Sequence, residues 1–208
     1  MTEKPNLDAA YALQTPDDSR ALYADWAETY DSAFVAESDY VLHIAVAHAF
    51  AAAGGKGAVL DVGAGTGICG EALAKLGVDP IIGTDISPEM LDRAKSKGVY
   101  ADLFTADILA GLPVKDGTYP GIVSSGTFTL GHVGPEGLDE VVRLLASGGL
   151  AVISVRDTHF EKSGFAEKIA QLEPLLSKAS QTIAPIYGPA ANEGHSGDKA
   201  VLLHLWKA

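Results

Sequence analysis

Residues 58–67 read Ala58-Val59-Leu60-Asp61-Val62-Gly63-Ala64-Gly65-Thr66-Gly67. An apolar run, an acidic residue and a three-glycine turn stand directly before a helix-like segment, the arrangement of a nucleotide-cofactor turn. The glycines adopt backbone angles closed to other residues, and they let a ligand lie against the main chain where a Cβ would collide. Eighteen residues past Gly67, a second strand-like run, Pro80-Ile81-Ile82-Gly83-Thr84-Asp85, ends in a carboxylate. That position suits capture of a ribose diol at the carboxyl end of the next strand.

Two cofactor classes compete for the turn. Gly65-Thr66-Gly67-Ile68-Cys69-Gly70 formally satisfies the dinucleotide fingerprint, so a nicotinamide- or flavin-dependent oxidoreductase is one reading. If the strand ends near Val62, however, a dinucleotide turn starts at Gly63, and Ile68 then falls where the third glycine belongs. Asp61, just ahead of the glycines, would repel a pyrophosphate and tolerate a cationic or zwitterionic ligand. Asp61, Gly63, Gly65 and Gly67 together resemble motif I of the class I S-adenosylmethionine (SAM) methyltransferases, whose ligand carries a sulfonium and an amino acid instead of phosphates.

Composition fits a single domain. The 208 residues are 47% hydrophobic, enough for one sizeable core, and no apolar stretch approaches a membrane span. Met1 to Arg20 carry several acids and no apolar block, so no secretory signal is expected. The single cysteine excludes an internal disulfide and suits a reducing compartment, so a cytoplasmic location is the expectation. A net charge of −12 repels polyanions, and no basic patch offsets it; the expected partner is a small molecule, with no nucleic acid.

Thr15-Pro16-Asp17-Asp18 reads as a helix start, with Thr15 as N-cap, and the helix is expected to run to about Thr29. A second helix is predicted from Asp39 to Ala53, stopped by Gly54-Gly55. Strand and helix patterns then alternate: strand 58–62, helix about 67–76, strand 80–84, helix 88–97 opened by Ser87-Pro88, strands near 101–105 and 121–126, helix 135–146 and strand 149–156. A further helix near 164–178 precedes two strand-like runs, 182–187 and 200–206. Such alternation predicts an α/β fold with a mostly parallel sheet between two helical layers.

The resemblance extends over most of the chain. Ala24-Asp25-Trp26-Ala27-Glu28-Thr29-Tyr30-Asp31 is similar to the segment that precedes motif I in small methyltransferases of the ubiquinone-biosynthesis and methyltransferase-like type. Gly83-Thr84-Asp85-Ile86-Ser87-Pro88-Glu89-Met90-Leu91 resembles their second motif, Thr105-Ala106-Asp107-Ile108 the turn after strand three, and Leu145-Ala146-Ser147-Gly148-Gly149-Leu150 the glycine turn before strand five. The resemblance implies a Rossmann-like, seven-stranded, mostly parallel sheet with an antiparallel strand at the C-terminus. It implies one domain over 1–208, with 1–55 as a helical lid and 56–208 as the core. It also assigns roles: Gly63, Ala64, Gly65 and Gly67 pack on the methionine part of SAM, with Asp61 and Ser124 beside them. Asp85 accepts from the ribose hydroxyls, Ile86 and Met90 flank the adenine, and Asp107 and Ile108 hold its amine edge. Tyr30 closes over the methionine end, with Trp26 packing in the same lid.

Methyl transfer is an in-line displacement at an activated carbon, so the protein mainly aligns donor and acceptor and excludes water. Only an acceptor that must lose a proton needs a base. His132, just past the fourth strand, is the candidate, because its ordinary pKa suits proton abstraction near neutrality. The segment Ser124-Ser125-Gly126-Thr127 lacks the Asn/Asp-Pro-Pro-Tyr/Phe pattern of base-amine methylases and the carboxylates of magnesium-dependent catechol enzymes. Cys69 reads as packing, not as a nucleophile. His43 and His48 point about 140° apart on a helix, which disfavours a shared metal. The expectation is therefore a SAM-dependent methyltransferase with a small-molecule acceptor, working as a monomer or homodimer and releasing S-adenosylhomocysteine (SAH). The alternatives are a nicotinamide-dependent oxidoreductase and a SAM-binding protein without catalysis.

Overall fold

The computed structural model describes residues 16–36, 38–191 and 195–208. Helix α1 (Pro16–Trp26) leads into a π-helical turn (Tyr30–Val35) and helix α2 (Leu42–Ala52). The core follows as β1 (Val59–Val62), α3 (Ile68–Lys75), β2 (Ile81–Asp85), α4 (Pro88–Ser96), β3 (Asp102–Thr105), β4 (Tyr119–Phe128), α5 (Gly137–Leu144) and β5 (Leu145–Arg156). Two short helices, α6 (Asp157–Lys162) and α7 (Phe165–Leu172), precede the hairpin of β6 (Leu176–Pro185) and β7 (Lys199–Lys207). The proposed N-cap Thr15 lies outside the described residues.

The seven strands form one sheet in the order β3-β2-β1-β4-β5-β7-β6. All pairs from β3 to β5 are parallel, whereas β7 runs antiparallel to both of its neighbours. Strand β1 is buried along its whole length, as a central parallel strand with helices on both faces must be. Leu60, Val62, Ile122 and Phe128 meet Leu138 and Val142 of α5 and Phe165 of α7 on one face. Val59, Val123 and Val152 meet Val46 and Phe50 of α2 and Leu73 of α3 on the other.

The predicted elements between 58 and 156 form within a few residues of their expected bounds. The Ser87-Pro88 helix start is realised as read: Ser87 Oγ accepts from the Met90 N–H at 3.2 Å, and Pro88 occupies the first turn. Differences lie at the two ends. Helix α1 stops at Trp26 and the chain then forms the wider π turn from Tyr30 instead of continuing as α-helix to Thr29. The helix expected at 164–178 ends at Leu172, and residues from Leu176 onward join β6, because pairing with β7 outweighs the weak local helical preference.

One packing arrangement fixes the turn after β1. The Tyr100 ring lies against Gly67, Gly70 and Gly83, each without the Cβ that would meet it. Its hydroxyl donates to Asp61 Oδ2 at 2.7 Å. Gly70, which completes the formal dinucleotide fingerprint, therefore makes room for a tyrosine. Gly70→Val should drive the new branch into this ring and lower stability by about 1–3 kcal/mol, the usual cost of overpacking, as read from urea denaturation.

Candidate cofactor and acceptor site

At the carboxyl ends of β1, β2 and β4, the strand-to-helix turns leave a cavity of about 190 Å³ that Tyr23, Trp26, Tyr30 and Phe34 also line. Backbone geometry sets its floor. The N–H groups of Gly63 and Ala64 both donate to the Thr84 carbonyl at 2.9 Å, which locks the glycine turn to β2. The next N–H, that of Gly65, donates to Asp85 Oδ2 at 2.8 Å, and Ser87 N–H donates to Oδ1 at 2.9 Å. Gly65 has φ +54° and open space where its Cβ would be, so ligand atoms can lie against the main chain there. Each carboxylate oxygen of Asp85 keeps a further lone pair, sufficient to accept from two ribose hydroxyls. Burial raises the Asp85 pKa, and the N–H groups of Ser87 and Gly65 act against that rise.

Tyr30, Gly63, Ala64, Gly65, Asp85, Ile86, Met90, Asp107 and Ile108 all line the cavity, as does His132. Met90 is buried on the first turns of α4 and presents an apolar surface beside Ile86. Asp107 caps the short 3-10 turn Ile108–Ala110, accepting from the Leu109 N–H at 2.9 Å, so it is a turn former as well as a wall. Asp61, Gly67 and Ser124 lie elsewhere. Asp61 points to the opposite side of β1, toward Tyr100; Gly67 faces Tyr100 and Ala94; and Ser124 donates to the Val62 carbonyl at 2.8 Å inside the core. Ser125 and Thr127 line the cavity in place of Ser124.

The lining carries two carboxylates, Asp85 and Asp107, and one cation, Arg156, which is paired to Asp198 at 3.1 Å. A pyrophosphate would meet acids and no free positive charge beside the glycine turn, whereas a sulfonium with an adenosine fits this donor and acceptor set.

An aromatic wall faces the turn. Tyr23, Trp26, Tyr30 and Phe34 follow one another at helical spacing, with centroid separations of 5.2 Å for Trp26–Tyr30 and 5.0 Å for Tyr30–Phe34. Tyr40 continues it at 5.5 Å from Phe34 and Tyr187 at 6.4 Å, the two tyrosines lying 5.9 Å apart and joined by an isolated antiparallel bridge between their backbones. The spacing from Tyr23 to Phe34 was readable as one helical face; the pairing of Tyr40 with Tyr187 joins distant segments and leaves no local signal.

His132 Nδ1 lies 3.3 Å from the Leu130 carbonyl and Nε2 lies 3.0 Å from the Tyr23 hydroxyl. A carbonyl only accepts, so Nδ1 carries the proton and Nε2 accepts from the phenol. Burial lowers the His132 pKa, which keeps the ring neutral at pH 7. Cys69 is buried and its thiol is pushed up by burial, so it is no thiolate nucleophile. Among the described residues, no cluster of three His, Cys, Asp or Glu side chains is placed to hold a metal ion, and no helix is long and apolar enough to cross a membrane.

Strand order 3-2-1-4-5-7-6 with one antiparallel strand, the glycine turn after β1 and the carboxylate at the end of β2 define the class I SAM-dependent methyltransferase fold. A family model described as a methyltransferase domain matches residues 59–149, and the fold is that of the class I SAM-dependent methyltransferases. SAM is the methyl donor that this family and fold imply.

The chain is 41% identical over 66 residues to the 18S rRNA (guanine-N(7))-methyltransferase of Bos taurus, a match covering 32% of this chain and 23% of that protein. It is 34% identical over 125 residues to the corresponding enzyme of Arabidopsis thaliana, covering 59% of this chain and 43% of the relative. These matches thus span between about a quarter and under half of the relatives' length. A methyltransferase of Haloferax volcanii, solved in complex with the Trm112 methyltransferase activator, superposes with a TM-score of 0.64 at 18% identity, over 89% of this chain and 97% of that one.

These findings correct two expectations. The acceptor in the named relatives is a guanine of ribosomal RNA, against the expectation of a small-molecule substrate and no nucleic acid, and the structural neighbour is found in complex with an activator protein, against the expectation of a monomer or homodimer. The physical reason is that net charge governs long-range attraction to a polyanion and says little about which planar group a cavity admits.

Two outcomes follow from this geometry. Asp85→Ala should weaken SAM binding by about 1.5–3 kcal/mol, the range for hydrogen bonds to a charged group, measured by calorimetry on the folded variant. Asp61, buried with Oδ1 lacking a partner among the described residues, has its pKa raised to about 7 by burial, against the pull of the Tyr100 hydroxyl. Its folded pKa exceeds the unfolded one, so its contribution to stability is full below the ordinary carboxylate range and is lost as pH rises toward and through about 7. Denaturation between pH 4 and 8 should show this decline in the wild type and a flatter profile in Asp61→Asn.

Proposed function

We propose that this chain transfers a methyl group from SAM to the N7 of a guanine in RNA. The observation that carries the reading is the continuity of one cavity, with Gly65, Asp85 and Met90 on the donor side and an aromatic wall of Tyr23, Trp26, Tyr30, Tyr40 and Tyr187 on the other. Flat electron-rich rings suit a flat base, and the names of the relatives supply its identity and the reacting atom.

Bound SAM supplies an electrophilic methyl carbon whose bond to sulfur breaks as the acceptor's lone pair attacks, leaving SAH. The chain's own work is alignment and exclusion of water. Tyr30 stays a neutral phenol, its pKa raised by burial, and closes the methionine end. The aromatic faces favour the positive charge that moves onto a purine ring when N7 is alkylated. Guanine N7 carries no proton, so this reaction needs no base. His132 then serves to orient Tyr23 in the acceptor wall, and the general-base role belongs to acceptors that must lose a proton.

The same reading treats residues 16–55 as a lid on the core that follows; residues 1–15 of the expected lid lie outside the described residues. With a net charge of −12, the chain gains little from the phosphate backbone. The reading therefore assigns much of the RNA affinity to a partner surface, the role we suggest for an activator subunit such as the one beside the structural neighbour.

Labelled SAM incubated with small-subunit ribosomal RNA, followed by nucleoside digestion, should place the label in 7-methylguanosine. Label in another nucleoside, or in none, would overturn the acceptor assignment. His132→Ala should keep kcat within about tenfold of the wild type, whereas a fall of about 10²-fold or more would reveal a base and an acceptor that loses a proton.

A further inference from the structure

We propose that Asp31 is a positioning residue that latches the lid over the donor site, an inference that rests on the methyltransferase reading above. Asp31 follows Tyr30 in the π turn, and each of its carboxylate oxygens has a partner from a different wall of the site. Oδ1 accepts from the Thr66 hydroxyl at 2.5 Å, and Thr66 stands between Gly65 and Gly67 of the cofactor turn with only 2% of its surface exposed. Oδ2 accepts from Lys97 Nζ at 2.8 Å. Lys97 closes α4, the helix that begins beneath Asp85 and carries Met90. The same ammonium also donates to Glu71 of α3 at 2.8 Å.

Asp31 thus joins the lid to the glycine turn and to the end of α4, and Lys97 carries the link on to α3. The Lys97 side chain is 16% exposed against 42% for Asp31 and 37% for Glu71, so these ion pairs are shielded on the lysine side only. A second lid contact, Glu28 with Arg93 at 3.4 Å, is exposed on both sides and contributes little by comparison. Opening the lid must break the Thr66 and Lys97 bonds to Asp31 together, and it would leave the buried Thr66 hydroxyl without its acceptor. Asp31 therefore sets how long Tyr30 stays over the methionine end, and with it the release rates of SAM and SAH.

The test measures dissociation of SAM and of SAH by stopped-flow chase from the full chain. Asp31→Ala should speed both by about tenfold or more, the factor that accompanies loss of a hydrogen bond to a charged group. Asp31→Asn, which keeps an acceptor for Thr66 but loses the charge facing Lys97, should fall between it and the wild type. Lys97→Met should also speed release, and combining it with Asp31→Ala should add less than twofold, because the two groups share one bond. Arg93→Ala should leave the rate unchanged. Amide exchange over residues 26–36 in the SAM-bound protein should rise in Asp31→Ala while β4 and β5 keep their protection, a local effect that general destabilisation would not produce. If Asp31→Ala fails to fold, Thr66→Val carries the same expectation. A wild type that does not bind SAM would overturn the methyltransferase reading; a wild type that binds SAM, with variants releasing it at the wild-type rate, would overturn the latch alone.

Discussion

The cofactor turn depends on a tyrosine that lies outside the cavity lining. Tyr100 fills a slot cut by three glycines, from the turn, from α3 and from β2, and its hydroxyl reaches through the slot to the buried Asp61. This contact sets how closely α3 approaches the sheet, and so where its first turn begins. The Thr84 carbonyl then gathers the N–H groups of Gly63 and Ala64, leaving the Gly65 N–H for Asp85. Side-chain packing below the turn and hydrogen bonding above it hold the same few residues from opposite sides. That double restraint lets a glycine-rich segment, with high intrinsic backbone entropy, present a fixed surface.

Much of this architecture was legible in the chain because it is locally encoded. Four apolar residues before a glycine turn, Ser87-Pro88 before an amphipathic run and a carboxylate closing β2 each act through neighbours in sequence. What local patterns missed depends on distant partners. Residues 176–178 look helical by themselves and become strand only because β7 lies alongside. The side of β1 on which Asp61 emerges was open to either reading until Leu60 and Val62 were seen to share the opposite face. Gly70 satisfied a ligand-binding pattern although its neighbour is Tyr100, a reminder that a missing Cβ can accommodate protein as readily as phosphate. Asp31 gave no signal, since its meaning comes from Thr66 and Lys97, each far along the chain.

The acceptor is the instructive failure. A charge of −12 suggested a protein that keeps away from nucleic acid, and named relatives act on ribosomal RNA. Surface charge and cavity chemistry operate over different ranges: the first sets encounter over a Debye length, the second decides which ring fits between tyrosines. An acidic chain with an aromatic cavity is consistent with a division of labour in which another surface gathers the polymer and this one handles a single base.

The bridge between Tyr40 and Tyr187 ties together two parts of the cavity wall that are far apart in the chain. The donor half of the cavity comes from one uninterrupted stretch, Val62 to Leu109, whereas the opposing wall is assembled from the segment before β1, the end of β4 with the turn after it, the end of β5 and the residues that follow β6. The two halves meet in space and hardly overlap in sequence. Such a layout behaves like a tool with a fixed handle and an exchangeable bit. Four short wall segments can be rewritten to suit a new acceptor, while the part that handles the methyl donor is inherited whole.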